Sequence, residues 1–234
     1  MAISVDLIAY TPNPEKVVAM SAHLCYSPIG AKQIGENLDE ANSARLVRQM
    51  VNSGHHSTLE HVSFSFAIEG ISRACTHQLV RHRIASYSHQ SQRYVKAVDF
   101  ERIVPDTIKY KPEAKEKFDK LMAQIAETYN EFVEMGIPAE DARFVLPNAA
   151  ETKIVVTMNA RSLLHFFEER CCNRAQWEIR AMANLMLQEV RKVAPVLFAK
   201  AGPTCEYGRF CREGKRSCGK LEALLAEDAK KKEN

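Results

Sequence analysis

The densest set of chemically capable side chains lies between Gln78 and Tyr94, where three arginines and two histidines alternate with serines and glutamines. Cationic groups at this density repel one another unless an anion lies among them. Guanidinium groups offer paired donors that match phosphate oxygens, and serine and glutamine add neutral donors and acceptors for the edge of a heterocyclic ring. The segment predicts a site for a phosphorylated ligand. The alternative is a solvated basic helix end, stabilised by the helix dipole.

The chain lacks the common nucleotide-binding and hydrolase motifs. No G-x-G-x-x-G follows a predicted strand, so a Rossmann dinucleotide site has no support. Gly208 and Gly214 resemble the glycines of a phosphate loop, but five residues separate them, and Arg216 stands where Ser or Thr is needed. G-x-S-x-G and H-E-x-x-H are also absent. Any nucleotide cofactor must therefore be held by another arrangement of side chains.

Four sequence blocks resemble characteristic regions of the flavin-dependent thymidylate synthases, in the same order. Arg81-His82-Arg83, followed after seven residues by Ser91, matches that family's R-H-R-x7-S signature. The other blocks are Gly54–His61, similar to the family's G-H-x-[ST]-x-x-E-H, then Arg143 before Leu146-Pro147, and Asn159–Glu178. The matches cover roughly residues 1–200. On these motifs the chain is identified as a member of this family.

The resemblance implies a methyltransferase that converts dUMP to dTMP. In that family methylenetetrahydrofolate is the carbon donor, FAD is the redox cofactor, and NADPH usually reduces the flavin. The resemblance also implies a homotetramer with FAD at the subunit interfaces. The scattered positions of the matching blocks agree with a site that is shared between chains. The alternative is a monomer with one internal cleft.

The same resemblance implies which residues bind FAD and dUMP. The FAD set is Ser57, Arg81, His82, Arg83, His89, Asn159, Arg161 and His165. The dUMP set is Gln78, Leu79, Val80, Arg81, His89, Gln90, Ser91, Gln92, Arg93, Arg143 and Arg170. Arg170 corresponds to the catalytic arginine, which would stabilise negative charge on the N3/O4 side of uracil as the pyrimidine is activated. Considered alone, Arg170 could equally be a partner for a helix dipole.

Two positions depart from the family pattern. Many relatives carry Glu at the position of His89, and many carry His at the position of Arg174. His55, in the first matching block, is either a pocket residue or a structural histidine at the end of a loop.

The seven cysteines are expected to be reduced cytosolic thiols, because the N-terminus has no basic segment followed by an apolar one. Cys205, Cys211 and Cys218 could hold Zn²⁺ with a fourth ligand, but their spacings lack the short cysteine pair usual in zinc sites. The alternative is a surface loop with free thiols. No Pro-Cys-Gln occurs, which argues against the thymidylate synthases that use a cysteine nucleophile.

Two other functions remain open at the level of sequence. One is a flavoprotein that binds FAD and a nucleotide but only oxidises NADPH. The other is a non-catalytic nucleic-acid-binding protein. Nucleic-acid binding is disfavoured because the net charge is only +3 and basic residues alternate with acidic ones outside the arginine-rich segment. No apolar stretch reaches the roughly 20 residues of a membrane span, and we expect a cytoplasmic enzyme.

The elements that position these residues can be predicted from hydrophobic periodicity. Strands are predicted at 3–9, 62–68, where Gly70 ends the strand, and 152–158. Helices are predicted at 14–26, 38–53, 71–82, 112–135, 160–171 and 174–194, with one or two helical turns at 139–145. Residues 27–37 and 84–98 are predicted to be irregular, and the tail from about 222 to fray. The mixture of elements predicts an α+β fold, with a mixed or antiparallel sheet flanked by long helices and not a Rossmann fold. We expect one domain over residues 1–220, followed by a charged tail over 221–234.

Overall fold

The computed structural model describes residues 2–233 and contains helices and strands along most of that length. The strands are β1 (Ser4–Tyr10), β2 (Ser63–Ser72), β3 (Ser86–His89) and β4 (Glu151–Asn159). The helices are α1 (Pro14–Leu24), α2 (Ala31–Asn37), α3 (Glu40–Ser53), α4 (Arg73–Leu79), α5 (Asp106–Lys109), α6 (Pro112–Glu134), α7 (Ala139–Ala142), α8 (Ala160–Arg170), α9 (Trp177–Val193), α10 (Thr204–Tyr207) and α11 (Lys220–Glu233). Short 3₁₀ helices cover His56–His61, Arg143–Val145 and Gly214–Arg216.

The four strands form one antiparallel sheet in the order β1-β2-β4-β3. In β2 the side chains of Phe64, Phe66 and Ile68 are fully buried and alternate with partly exposed residues, as expected for a strand with one face on a core. In β4 the buried residues Ile154, Val156 and Met158 alternate in the same way. The predicted α+β class, with an antiparallel sheet and no Rossmann arrangement, is confirmed.

The chain divides into two compact units, and β2 and β4 each contribute residues to both. The first unit comprises residues 2–4, 67–83 and 87–156. Its core includes Ile71 and Leu79 together with Met122 and Tyr129 of α6. The hydroxyl of Tyr129 accepts a hydrogen bond from the backbone N–H of Ala97 at 3.0 Å, so this buried polar group is satisfied.

The second unit comprises residues 5–66, 84–86 and 157–233. Its core contains an aromatic cluster in which the ring of Phe198 meets those of Phe64 and Phe167 edge to face, with centroids 5.3 and 5.9 Å apart. This geometry is favourable for aromatic quadrupoles. The carboxylate of Glu15 accepts hydrogen bonds from the backbone N–H groups of Val196 and Leu197, at 2.6 and 3.1 Å, and so joins α1 to the segment after α9.

The predicted loop at 27–37 is wrong over Ala31–Asn37, which forms α2. The prediction relied on Gly30 and Gly35 as helix breakers. Gly30 is instead the residue that precedes the helix. Gly35 is buried within it, and a Cβ atom there would lie 2.9 Å from the sulfur of Met20 in α1. A glycine in the helix therefore lets α1 and α2 approach closely.

The predicted end of β2 at Gly70 is also wrong, because the strand continues to Ser72 and α4 begins only at Arg73. Gly70 has a φ of +71° inside the strand, and a Cβ atom there would lie 2.5 Å from the carbonyl oxygen of Ala2. Its backbone N–H donates to the carboxylate of Glu151 at 2.9 Å. The glycine therefore marks a distortion within the strand.

Two further segments are more regular than the sequence indicated. Ser86–His89, predicted to be irregular, forms β3 at the edge of the sheet. The tail, predicted to fray from about residue 222, lies in α11, Lys220–Glu233. Among residues 2–233 no helix is both long and apolar enough to cross a membrane.

Candidate active site

Strand β2 passes into α4 without a loop, and this junction fixes the start of the helix. The hydroxyl of Ser72 caps the helix by accepting a hydrogen bond from the backbone N–H of Cys75 at 3.1 Å. The backbone N–H groups of Arg73 and Ala74 donate to the carbonyls of Ala150 and Asn148, at 3.0 and 3.1 Å. The backbone N–H groups of the first three helical residues therefore all have acceptors. These bonds fix the position at which α4 begins within the first unit.

The turn after α4 carries Arg81, His82 and Arg83, and both arginines are exposed. The guanidinium Nε of Arg81 donates weakly to the carbonyl of His77 at 3.4 Å. Within the described part of the chain, neither Arg81 nor Arg83 forms an ion pair with a carboxylate. Two guanidinium groups without acidic partners suit a ligand with phosphate groups.

The residues just before this turn differ in what they can offer to a ligand. The side chain of Leu79 is fully buried, so only its main chain is accessible to a nucleotide. The side chain of Val80 is exposed, and the amide of Gln78 is half-buried and 3.5 Å from the carbonyl of Ala74.

Arg73 and His89 form a polar group that the sequence analysis did not predict. The Arg73 guanidinium lies 2.8 Å from Nδ1 of His89, and Nε2 of His89 lies 2.8 Å from the hydroxyl of Thr152. The same guanidinium nitrogen lies 3.1 Å from Nε2, and because Arg73 can only donate, the ring nitrogen that accepts from it carries no proton. Burial, followed by the charges of Arg73 and His77, lowers the pKa of His89 to about 4. The imidazole is therefore neutral at physiological pH.

Arg73 also forms one wall of a cavity of about 200 Å³. Gln90, Ser91 and Gln92 line the same cavity, and the Arg73 guanidinium donates to the carbonyl of Gln90 at 3.0 Å. Its Nε atom is buried without a hydrogen-bond acceptor among the described residues. Burial and the nearby charge of Arg143 lower the pKa of Arg73. An anion in this cavity would offset the repulsion between the two guanidiniums.

Glu140 of α7 organises two of the predicted dUMP-binding arginines. Its carboxylate pairs with Arg93, whose Nε and Nη2 lie 2.9 and 2.8 Å away, and its backbone carbonyl accepts from Nε of Arg143 at 3.0 Å. The Arg93–Glu140 pair is about half exposed, so the attraction is weak enough for Arg93 to exchange this partner for a ligand. Glu140 could not be predicted from the sequence, because nothing in its local pattern distinguishes it from a solvated acid.

The second unit carries the remaining predicted residues. Ser57 is exposed on the 3₁₀ helix His56–His61, which packs against α8. Glu60 of this 3₁₀ helix forms an ion pair with Arg161 of α8 at 2.5 Å. The side-chain oxygen Oδ1 of Asn159 caps α8 by accepting from the backbone N–H of Ser162 at 2.8 Å, which leaves the side-chain amide nitrogen for a ligand. Arg161 and His165 are four residues apart and share one exposed face of α8.

Arg170 is the last residue of α8 and lines a cavity of about 220 Å³. Arg174, Cys172, Cys205 and Cys211 line the same cavity. The seven cysteines are free thiols. Within residues 2–233 no group of three His, Cys, Asp or Glu side chains is placed to hold a metal ion. His55 is exposed on the loop before the 3₁₀ helix His56–His61.

The predicted site residues fall into two groups, one in each unit. The first unit holds Gln78, Leu79, Val80, Arg81, His82, Arg83, His89, Gln90, Ser91, Gln92, Arg93 and Arg143. The second holds Ser57, Asn159, Arg161, His165 and Arg170. Arg73, Glu140 and Tyr87 are neighbours of the first group that sequence reasoning did not assign.

Comparison with known proteins agrees with these observations. The profile of the thymidylate synthase complementing protein family matches residues 6–196. A flavin-dependent thymidylate synthase of Geobacter sulfurreducens is 52% identical over 220 residues, which cover 93% of this chain and 94% of the relative. One from Clostridium tetani is 51% identical and covers 96% of each chain, and one from Pyrococcus furiosus is 43% identical and covers 90% of each. The chain therefore belongs to the thymidylate synthase complementing protein family, together with these flavin-dependent thymidylate synthases.

Proposed function

We propose that this protein is a flavin-dependent thymidylate synthase that methylates dUMP to dTMP. The observation that carries the proposal is the turn Arg81-His82-Arg83. Its two arginines are exposed and have no carboxylate partners among the described residues. The chain that carries this turn is about 50% identical to enzymes of that name. Such a turn offers fixed cationic donors to a nucleotide cofactor. The free thiols also support our proposal of a cytoplasmic location.

The phosphate of dUMP is proposed to bind in the cavity lined by Arg73, Gln90, Ser91 and Gln92. Arg73 supplies a guanidinium with one unsatisfied donor, and Ser91 supplies a hydroxyl. Arg143 contributes charge close to Arg73, and Arg93 can turn from Glu140 to the ligand. Three guanidiniums balance a dianionic phosphate together with a partly charged uracil. Gln78 and the main chain of Leu79 and Val80 are proposed to contact the nucleotide beyond the phosphate.

FAD is proposed to lie against Arg81, His82 and Arg83 of one subunit and against Ser57, Asn159, Arg161 and His165 of another, in a homotetramer. The donor chemistry of the two groups together fits a dinucleotide, because their arginines suit the diphosphate, and the Ser57 hydroxyl and Asn159 amide suit the ring and ribose. Glu60 would hold the Arg161 guanidinium in a fixed orientation before the cofactor binds. When bound and reduced, the flavin would supply the hydride that completes the methyl group.

Arg170 is proposed to act on the uracil ring. Negative charge develops on the N3/O4 side of the pyrimidine during activation, and a guanidinium held there stabilises the transition state more than the ground state. Its position at the end of α8, in the wall of a cavity, leaves the side chain partly accessible. A role as a helix-dipole partner alone would not require that access.

The co-substrates are proposed to be methylenetetrahydrofolate as the carbon donor and NADPH as the reductant. The test is to incubate the purified protein with FAD, NADPH, methylenetetrahydrofolate and dUMP and to measure dTMP. Formation of dTMP that requires every component is the expected result. Oxidation of NADPH without dTMP in the complete mixture would support the flavoprotein oxidase alternative and refute the proposal.

A further inference from the structure

The edge strand β3 contacts α4 near both of its ends through two side chains on one face. Tyr87 and His89 are two residues apart, so they project to the same side of the strand, and both are partly buried while Ser86 and Ser88 are exposed. His89 lies against Arg73, the first residue of α4, at 2.8 Å. The hydroxyl of Tyr87 lies 2.9 Å from the carbonyl of Leu79, the last residue of α4, and 2.7 Å from the carbonyl of His82.

We propose that Tyr87 is a positioning residue, whose hydroxyl fixes the turn of Arg81, His82 and Arg83 in the conformation that binds FAD. A hydroxyl has one proton, which the two carbonyls share. The Tyr87 hydroxyl therefore links the end of α4 to His82 in the middle of the turn. The N–H of His82 also donates to the carbonyl of Leu79 at 3.1 Å, and the two interactions together close the turn. A ligand that meets a preformed turn loses less conformational entropy on binding.

The environment of Tyr87 supports this role. The phenol is half-buried, and burial raises its pKa to about 12, so the hydroxyl remains a proton donor over the physiological range. Its partners are main-chain atoms, so the bonds restrict the backbone of the turn directly rather than a single side chain. The arginines of the turn are themselves exposed and have little packing of their own to hold the backbone.

The substitution Tyr87→Phe tests the proposal, because it retains the ring and removes only the hydroxyl. The matched control is Tyr207→Phe in the second unit, which removes a hydroxyl that accepts from Arg191 at 2.9 Å. FAD affinity is measured by quenching of flavin fluorescence, and thermal unfolding is recorded for both variants. We expect Tyr87→Phe to weaken FAD binding about tenfold, the loss typical of one hydrogen bond to the main chain. At saturating FAD its kcat should stay within about twofold of the parent.

The two arms of the experiment separate this inference from the proposed function on which it rests. Hydrogen exchange of the amides at residues 80–83 needs no cofactor, and in Tyr87→Phe it should be about tenfold faster than in the parent. Unchanged exchange, or FAD affinity equal to that of the parent, would overturn the positioning role. Equal loss of FAD affinity in both variants would also overturn it, because general destabilisation would then explain the result. A parent protein that binds no FAD would refute the proposed function, and the exchange measurement would still decide the role of Tyr87.

Discussion

The neutral imidazole of His89 leads to a prediction about stability in acid. The substitution His89→Gln replaces it with an amide that can accept from Arg73 and form a hydrogen bond with Thr152 but cannot titrate. In the unfolded chain a histidine has a pKa near 6.5, whereas burial lowers the folded pKa to about 4. Between these values the unfolded state binds more protons than the folded state, so the parent loses stability as the pH falls from 6.5 to 4.

The size of this effect follows from the shift of about 2.5 pKa units, from 6.5 to about 4. At about 1.36 kcal/mol per unit, the loss of unfolding free energy over the whole range from pH 6.5 to 4 is at most about 3.4 kcal/mol. His89 is only about half-buried, so solvent screening reduces the figure to roughly 1 to 2 kcal/mol. Most of this loss is reached at pH 4.5, where the unfolded imidazole is almost fully protonated.

Urea unfolding of the parent and of His89→Gln at pH 7 and pH 4.5 measures the effect. Carboxylates titrate in both proteins, so the informative quantity is the difference between their two losses of unfolding free energy. We expect the parent to lose roughly 1 to 2 kcal/mol more than the variant. Equal losses in the two proteins would show that His89 is not held neutral by the fold, and the reasoning from burial and Arg73 would fail.

Three further predictions concern the proposed reaction and assembly. Arg73→Gln should raise the KM for dUMP about ten- to a hundredfold and leave FAD affinity unchanged, since it removes a charge-assisted hydrogen bond to phosphate; an unaltered KM would exclude Arg73 from the phosphate site. Arg170→Ala should still bind FAD but lower kcat for dTMP about a hundredfold or more, and turnover at the parent rate would contradict its catalytic role. Light scattering should give about four times the chain mass of 26.4 kDa; an active species of one chain mass would rule out a site shared between subunits.

The sequence was most informative where apolar residues repeat with a clear period. The alternation in β2 and β4 and the amphipathic pattern of α3, α6 and α9 predicted those elements to within a few residues. The edge strand β3 was missed because its residues, Ser86 to His89, lack the apolar alternation of a strand with a buried face. Its pairing depends on contacts with β4, which are remote in sequence.

The candidate site was predictable only as far as its residues lie in recognisable blocks. The blocks identified Arg81 to Arg83 and Ser91 to Arg93, but not the residues that support them from elsewhere in the chain. Glu140 lies 47 residues from Arg93, its ion-pair partner. The neutral state of His89 depends likewise on burial and on Arg73, which is 16 residues away. The charge state of His89 and the contacts that support the site residues are properties of the folded chain, and no local sequence pattern encodes them.

Two of the helices that carry candidate residues begin immediately at strand ends, α4 after Ser72 of β2 and α8 after Asn159 of β4. With 3.6 residues per turn, one inserted residue at either junction would rotate the following helix by about 100°. The capping side chain would then be out of place as well. A change of chain length at such a junction would therefore disturb the helix more than a change of residue type. Relatives should therefore differ in length within the loops between helices, and the spacing from Ser72 to Arg81 and from Asn159 to Arg170 should be constant among them.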